Sequence, residues 1–336
     1  MRIQFLNYPA KIGGPGTFQI GLCECLVAKG HIVDVYPSKH MPDAIFVISG
    51  SRRIFWLIKN KILGVKIIQR LDGYNWRSRD ESVNLKTYLK AKIQNLIIFF
   101  IRKYLANLVI YQSSYIKSLW EEGFGISKTN SIIIHNSASN IFFNNQNKQN
   151  GNYKIVCVEG AIQLDPLTRK MLSALDRLVL TDMNIDSVDI YGGLEGDIAN
   201  EYPNISFKGV VERSDIPLIY SKNKVIFLLL ERYPPCPNSL IESICSGVPS
   251  IGLDEGAYIE LSEYSGYAIN PVFLEDSKQD KVNRKIEEGI RYIIQNYKDM
   301  SEKSVNRSKL FKRKVMCHKY IENIDLIVNH NKNKWL

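Results

Sequence analysis

Markers of metal, thiol or serine chemistry are scarce in this 336-residue chain. It holds five histidines, His31, His40, His135, His318 and His330, and no two of them have the spacing of a metal-ligand pair. Its six cysteines, Cys23, Cys25, Cys157, Cys236, Cys245 and Cys317, form no Cys-x-x-Cys, and most sit in apolar runs. That pattern predicts buried free thiols in a reducing compartment. There is no Gly-x-Ser-x-Gly nucleophile elbow, no Walker loop and no Gly-x-Gly-x-x-Gly fingerprint, which argues against a nicotinamide oxidoreductase. The first residues lack the apolar stretch of a signal peptide. Within 84–112 the longest uninterrupted apolar run is 96–101, far short of the ~20 residues that span a bilayer. A cytoplasmic location is expected.

What is present is an ordinary globular composition, 45% hydrophobic and 23% charged, long enough for two domains. The net charge of +10 is lopsided. Residues 1–150 carry 20 Lys and Arg against 8 Asp and Glu, whereas 151–336 carry 24 against 26. A basic first half suits an anionic partner, such as a membrane surface, a phosphate-rich substrate or nucleic acid, or else simply solubilises that half. No nucleic-acid recognition motif accompanies the charge, so a nucleic-acid partner is not expected.

The pattern alternates strand and helix twice. Strands are predicted at 2–7, 32–36, 44–49, 65–70, 108–112 and 131–135, with helices at 17–29, 53–63, 84–105 and 115–124. The polar segment 144–152 reads as a linker. The rhythm restarts with strands at 154–159, 188–191, 205–208 and 225–230. A helix follows Asp165 and Pro166, another is capped by Asn238, and two late helices fall at 280–296 and 301–328. Strands joined through helices mean parallel sheets, and two doubly wound domains would bind a ligand at the strand C-termini, in the cleft between them.

Four places could carry chemistry. Gly13 and Gly14 open the first helix, where free amides and the helix dipole could hold an anion, or where the chain simply turns. The segment 231–252 leaves a strand through a proline-stiffened turn and enters a helix. The first-turn amides of Ser239 and Leu240 could meet a pyrophosphate there, and Glu242 could accept from a ribose diol or merely complement the dipole. Asp72 follows a strand and precedes Gly73, placed either to face a cleft or to cap its own turn. Finally, Lys86, Lys90, Arg102 and Lys103 flank an apolar helix centre, and Arg52, Arg53, Trp56, Lys59 and Lys61 lie in the preceding helix. Together they read as basic-amphipathic, membrane-surface material, or as a core helix with solvated lysines.

These segments resemble the family 4 retaining glycosyltransferases of the GT-B fold, especially those of bacterial polysaccharide assembly. The resemblance spans nearly the whole chain. It rests on GGPGTFQIGL (13–22), VKIIQRLDGYNW (65–76), VIYQSSYIKSLWEEGFGI (109–126), IIIHNSASNIF (132–142) and, most specifically, PCPNSLIESICSGVPSIG (235–252). It implies an α/β protein of two Rossmann-like domains facing across a cleft. The acceptor domain would be 1–143 and the nucleotide-sugar domain 153–312, with C-terminal helices, 313–336 among them, packing back toward the first domain. It implies transfer of a sugar from a nucleotide sugar, with retention and without a required metal, to a lipid-pyrophosphate-linked glycan at the inner face of the membrane. By that analogy Glu242 holds the ribose, and the amides of Asn238, Ser239 and Leu240 support sugar and diphosphate. Gly13, Gly14 and Gly160 approach the phosphates, Val210 flanks the base, and Asp72 lies near the reacting centre. Arg52, Arg53, Trp56 and Lys59 serve the acceptor or the membrane.

The chain also departs from the pattern. The family often has two glutamates with seven residues between them, but Pro234, eight before Glu242, stands where the first would be, with Glu231 three residues out of register. Many members place an Arg and a Lys after the first strand of the second domain to neutralise the diphosphate, and here 160–166 has no base. Arg169, Lys170 or Arg213 would have to substitute. A degenerate, non-catalytic protein that assists a partner enzyme is the competing expectation.

Overall fold

The computed structural model describes residues 1–9, 14–75, 84–143, 151–182, 184–194, 198–221 and 224–329. The chain forms two compact units, one of Met1–Asn136 with Arg313–Leu336 and the other of Ser137–Lys312. The boundary at 136/137 lies before the polar segment 144–152 because Phe142 is wholly buried in the second unit. There its carbonyl accepts from Ser246, and Ala138 bridges to Lys312.

The first unit runs β1 (Arg2–Phe5), α1 (Gly14–Ala28), β2 (Ile32–Val35), β3 (Ala44–Ile48), α2 (Ile54–Ile62), β4 (Lys66–Leu71), α3 (Leu85–Phe100), β5 (Leu108–Tyr111), α4 (Ser114–Phe124) and β6 (Ser131–Ile133). Its sheet is parallel throughout, in the order β2-β1-β3-β4-β5-β6. The central strands are buried along almost their whole length, as strands covered on both faces must be; β3 and β5 are nearly all apolar, whereas β4 also buries Gln69 and Arg70. Helix starts follow local chemistry: Asn84 accepts the Thr87 amide ahead of α3, and Ser113 accepts the Ile116 amide ahead of α4.

The second unit runs β7 (Tyr153–Ile162), α5 (Pro166–Thr181), β8 (Ile185–Leu194), β9 (Ile205–Gly209), α6 (Ile216–Ser221), β10 (Lys224–Leu228), α7 (Asn238–Cys245), β11 (Ser250–Leu253), α8 (Tyr258–Ser262), β12 (Gly266–Ile269), α9 (Pro271–Asp276), α10 (Gln279–Gln295) and α11 (Tyr297–Ser308). Its parallel sheet has the order β12-β11-β10-β7-β8-β9. Asp165 accepts the amides of Leu167 and Thr168, and Pro166 opens α5. The apolar faces of α5 and α10 close the core over this sheet.

The last helix, α12 (Arg313–Asn329), belongs to the first unit. Tyr320 and Met316 pack there among Phe18 and Phe46, and Arg313 pairs with Glu24 at 2.6 Å. The expected helix 301–328 is therefore two. Phe311, fully buried, anchors the break, and its carbonyl accepts the Ala138 amide at 3.0 Å. The expectation of six free thiols is also corrected. Cys25 of α1 and Cys317 of α12 form a disulfide with their Cα atoms 6.0 Å apart, while Cys23, Cys157, Cys236 and Cys245 are free. A separation of 292 residues hides such a pair from any spacing rule.

Strand order marks where each unit can take a ligand. In a doubly wound sheet the crevice opens at the carboxyl ends of the two strands between which the winding reverses. These are β1 and β3 in the first unit, and β7 and β10 in the second.

Candidate functional site

At the reversal in the second unit, a carboxylate joins β7 to the segment just beyond β10. Oε1 of Glu159 accepts the Leu230 amide at 2.7 Å and the Glu231 amide at 3.0 Å. Burial pushes the Glu159 carboxyl up to about 7, although both amides favour the charged form. Gly160 follows, and a Cβ placed on it would meet nothing within 4 Å, so the protein itself does not demand glycine there.

From the end of β10 the chain passes through 231–237 into α7. Pro237 is the N-cap and offers no side-chain acceptor, so the helix begins at Asn238 rather than being capped by it. Ser239 is half-buried and Leu240 fully buried. Glu242, one turn in, is only 4% exposed and pairs with Arg213. Burial raises its carboxyl, and the Arg213 guanidinium opposes that rise. Arg213 sits in the loop between β9 and α6, which Gly209 starts at a φ of +71°. The guanidinium also lies over the Phe142 ring, 5.9 Å from its centroid. Val210, in the same loop, is 79% exposed.

The other two bases named as substitutes point elsewhere. Arg169 pairs with Glu201 at 2.5 Å. Lys170 donates to the carbonyls of Leu274, Glu275 and Ser277 at 2.7–3.1 Å, closing the C-terminal end of α9.

In the first unit Gly14 is the first residue of α1, and Gly13 lies outside the described residues. Asp72 follows β4, half-buried, and its carbonyl accepts the Trp120 indole at 2.8 Å. Burial raises its carboxyl against the pull of the Arg70 charge, its own amide and the Ser49 hydroxyl. Arg70 acts through its charge. It is buried against the Phe18 ring, and its hydrogen bond goes to Asn136 at 2.6 Å.

The basic residues divide into two kinds of cation, and Arg52 and Arg53 precede α2 rather than lying in it. Arg52 and Lys59 are exposed, Arg53 lies over the Tyr36 ring, and Trp56 is half-buried against the same ring. Lys61 instead donates to the carbonyls of Tyr104 and Leu105, both at 2.8 Å. Arg102 is not a flanking surface charge. A π-helical turn at Ile101–Leu105 carries it inward, where it donates to the Tyr111 hydroxyl at 2.8 Å and to the Gly125 carbonyl at 3.0 Å. Helix α3 shows an unexpected second apolar side. Ala91, Asn95 and Ile98 face the core. At about 100° per residue, Leu85, Leu89, Ile93 and Leu96 fall on the opposite side. These four are 48–71% exposed, with Lys86, Lys90 and Lys92 exposed beside them. Neither 44–71 nor 84–120 contains an acidic residue.

Against solved structures, the likeness runs over the whole chain. Sucrose-phosphate synthase from Thermosynechococcus elongatus is similar at a TM-score of 0.72 and 13% identity, over 96% of this chain and 97% of that one. A glycosyltransferase from Rickettsia africae is similar at 0.70 and 14%, over 97% and 98%. HepE from Anabaena, solved with UDP, is similar at 0.67 and 15%, over 97% and 100%. The fold is GT-B. No protein-family model matches the sequence, and no curated protein matches it.

Within that fold the second unit brings Gly160, Asn238, Ser239, Leu240 and Glu242 to the β7–β10 reversal, and Val210 to the β9–α6 loop. Glu159 and the pairing of Arg213 with Glu242 were missed by the sequence reading. The signal for Glu159 was weak but present: an acid ending an otherwise apolar strand.

Proposed function

We propose that this protein is a nucleotide-sugar-dependent glycosyltransferase that extends a lipid-pyrophosphate-linked glycan. The observation that carries the reading is the buried Glu242, one turn into α7 beside the strand reversal of the second unit of a GT-B fold. A carboxylate there suits a ribose diol, and the first-turn amides of α7 suit a diphosphate. The UDP in the Anabaena HepE structure supports a uridine nucleotide as the first donor to try. Retention, membership of family 4 and a place in capsule or O-antigen assembly rest on the sequence resemblance. So does a donor site that needs no metal.

The acceptor side falls to the first unit, with Asp72 near the reacting centre. Its exposed apolar stripe on α3, lysines on both sides and no acid nearby, supports docking on anionic lipid at the cytoplasmic face of the membrane. No described helix is long and apolar enough to cross a membrane. The stripe and its lysines are what support a peripheral location.

Transfer of radiolabelled sugar from a panel of nucleotide sugars to a membrane extract tests the reading. Product with one donor is expected. No transfer with any donor, together with no nucleotide binding, defeats it. A non-catalytic role is favoured by one observation, the absence of any base in 160–166. Calorimetry with UDP and GDP separates the two, because a protein that has lost the donor site takes up neither.

A further inference from the structure

A glycosyl donor leaves as a nucleoside diphosphate, and transfer needs positive charge or aligned N–H groups where that charge develops. In the second unit the loop after β7 offers none, and the strand reversal carries a carboxylate, Glu159, instead. The first-turn amides of α7 supply N–H groups, and any cation that joins them has to come from elsewhere.

The structure narrows the candidates. Arg169 is held by Glu201, and Lys170 is spent on three carbonyls at the end of α9. Arg232, just beyond β10, is clamped by Glu255 through Nε and Nη2, both at 2.6 Å, and by Glu275 at 2.9 Å. Lys154 and Lys224 stand on the opposite, amino-terminal ends of β7 and β10. Arg213 alone of these reaches a residue of the candidate donor site. One face of its guanidinium holds Glu242, its side chain stays 34% exposed, and its Nε is buried without a hydrogen-bond acceptor. A buried ion pair is costly and gains little stability over apolar packing. Here only the carboxylate is fully buried, and the solvent-facing N–H groups of the guanidinium, not the enclosed Nε, are the ones open to a ligand.

We propose that Arg213 supplies the positive charge for the donor's diphosphate, taking the place of the cations missing after β7, while it orients Glu242 for the ribose. This rests on the glycosyltransferase reading above and deepens it. Both charges then act as one unit: the carboxylate receives the sugar hydroxyls of the nucleoside, and the guanidinium receives the phosphates.

The test is calorimetry on the full chain with UDP, GDP, uridine and guanosine. The wild-type protein is expected to bind one diphosphate at least tenfold more tightly than its nucleoside. Arg213→Gln is expected to shrink that preference to threefold or less, and Arg213→Lys to keep part of it. Lys170→Met and Arg169→Gln are expected to leave it intact. If Arg213→Gln does not fold, the double variant with Glu242→Gln, which strands no buried charge, replaces it and should show no diphosphate preference. A wild-type preference that survives in Arg213→Gln, or in the double variant, overturns the role of Arg213 and leaves the glycosyltransferase reading standing. Equal binding of diphosphate and nucleoside by the wild type also overturns it. Binding of none of the four compounds overturns both.

Discussion

Oε1 of Glu159 accepts the Leu230 amide at 2.7 Å, fastening β7 three residues before its carboxyl end to the segment just beyond β10, where the sheet reverses. The bond ties the two together, but it buries a carboxylate with no cation beside it. Burial lifts the group from 4.5 to about 7. Between those values the folded protein holds a proton that the unfolded chain has already released. Stability from this group therefore falls as pH rises from about 4.5 through 7. Glu159→Gln keeps an oxygen for both amides and removes the charge. It is expected to stabilise the protein by about 1–3 kcal/mol at pH 8 and by little at pH 5. Urea unfolding at the two pH values checks this, and an equal effect at both would contradict it.

Lys170 offers a second test, because the structure gives it a structural rather than a catalytic task. Its ammonium donates to three carbonyls at and just beyond the end of α9, of which that of Leu274 also accepts the Ser277 amide. Lys170→Met is expected to cost about 1–2 kcal/mol. A lowered urea midpoint with unchanged nucleotide affinity is the expected result. A loss of affinity at unchanged stability would move Lys170 into the donor site.

Most of the fold was legible because strands buried on both faces carry short clusters of β-branched and other apolar residues, even where, as in 65–70, polar residues interrupt them. Those at 44–49, 65–70, 108–112 and 225–230 coincide within a residue or two with β3, β4, β5 and β10. The short strands β11 and β12 and the helices α6, α8 and α9 were missed, since four to six residues carry too little period to be told from loop. The break at Phe311 was hidden for another reason. No Gly or Pro marks it, and only the burial of one ring and a pairing with Ala138 create it. At the site, Glu242 was legible from its place behind a turn and a helix start. Its partner was not, because Arg213 arrives from a loop 29 residues away.

Arg102 shows how the same limit affects charge. Read along the sequence it is one of a basic cluster, yet the π-helical turn takes it into the interior against Tyr111 and Gly125. Arg102→Met removes three hydrogen bonds from a charged donor and is expected to cost about 2–4 kcal/mol. Thermal melts should show that loss, while liposome binding below the melting temperature stays unchanged. A variant of normal stability that no longer binds liposomes would return Arg102 to the surface.

The membrane reading is decided on the residues that do face solvent. Lys86, Lys90 and Lys92 flank the outward stripe of α3, whereas Lys61 and Arg102 are committed to carbonyl and hydroxyl partners. Each Lys near an anionic surface contributes about 1 kcal/mol. Neutralising all three to Gln is therefore expected to weaken partitioning onto vesicles of anionic phospholipid by roughly a hundredfold at low salt. Leu89→Ser with Ile93→Ser tests the apolar part. Because both side chains are about half exposed, the change should leave folding stability within ~0.5 kcal/mol while reducing binding to the same vesicles. Salt should weaken the wild-type interaction and act less on the lysine-free variant, since screening removes only the charge contribution. Unchanged vesicle binding in both variants would assign the basic first half to solubility alone, and would leave the outward stripe of α3 to a protein partner.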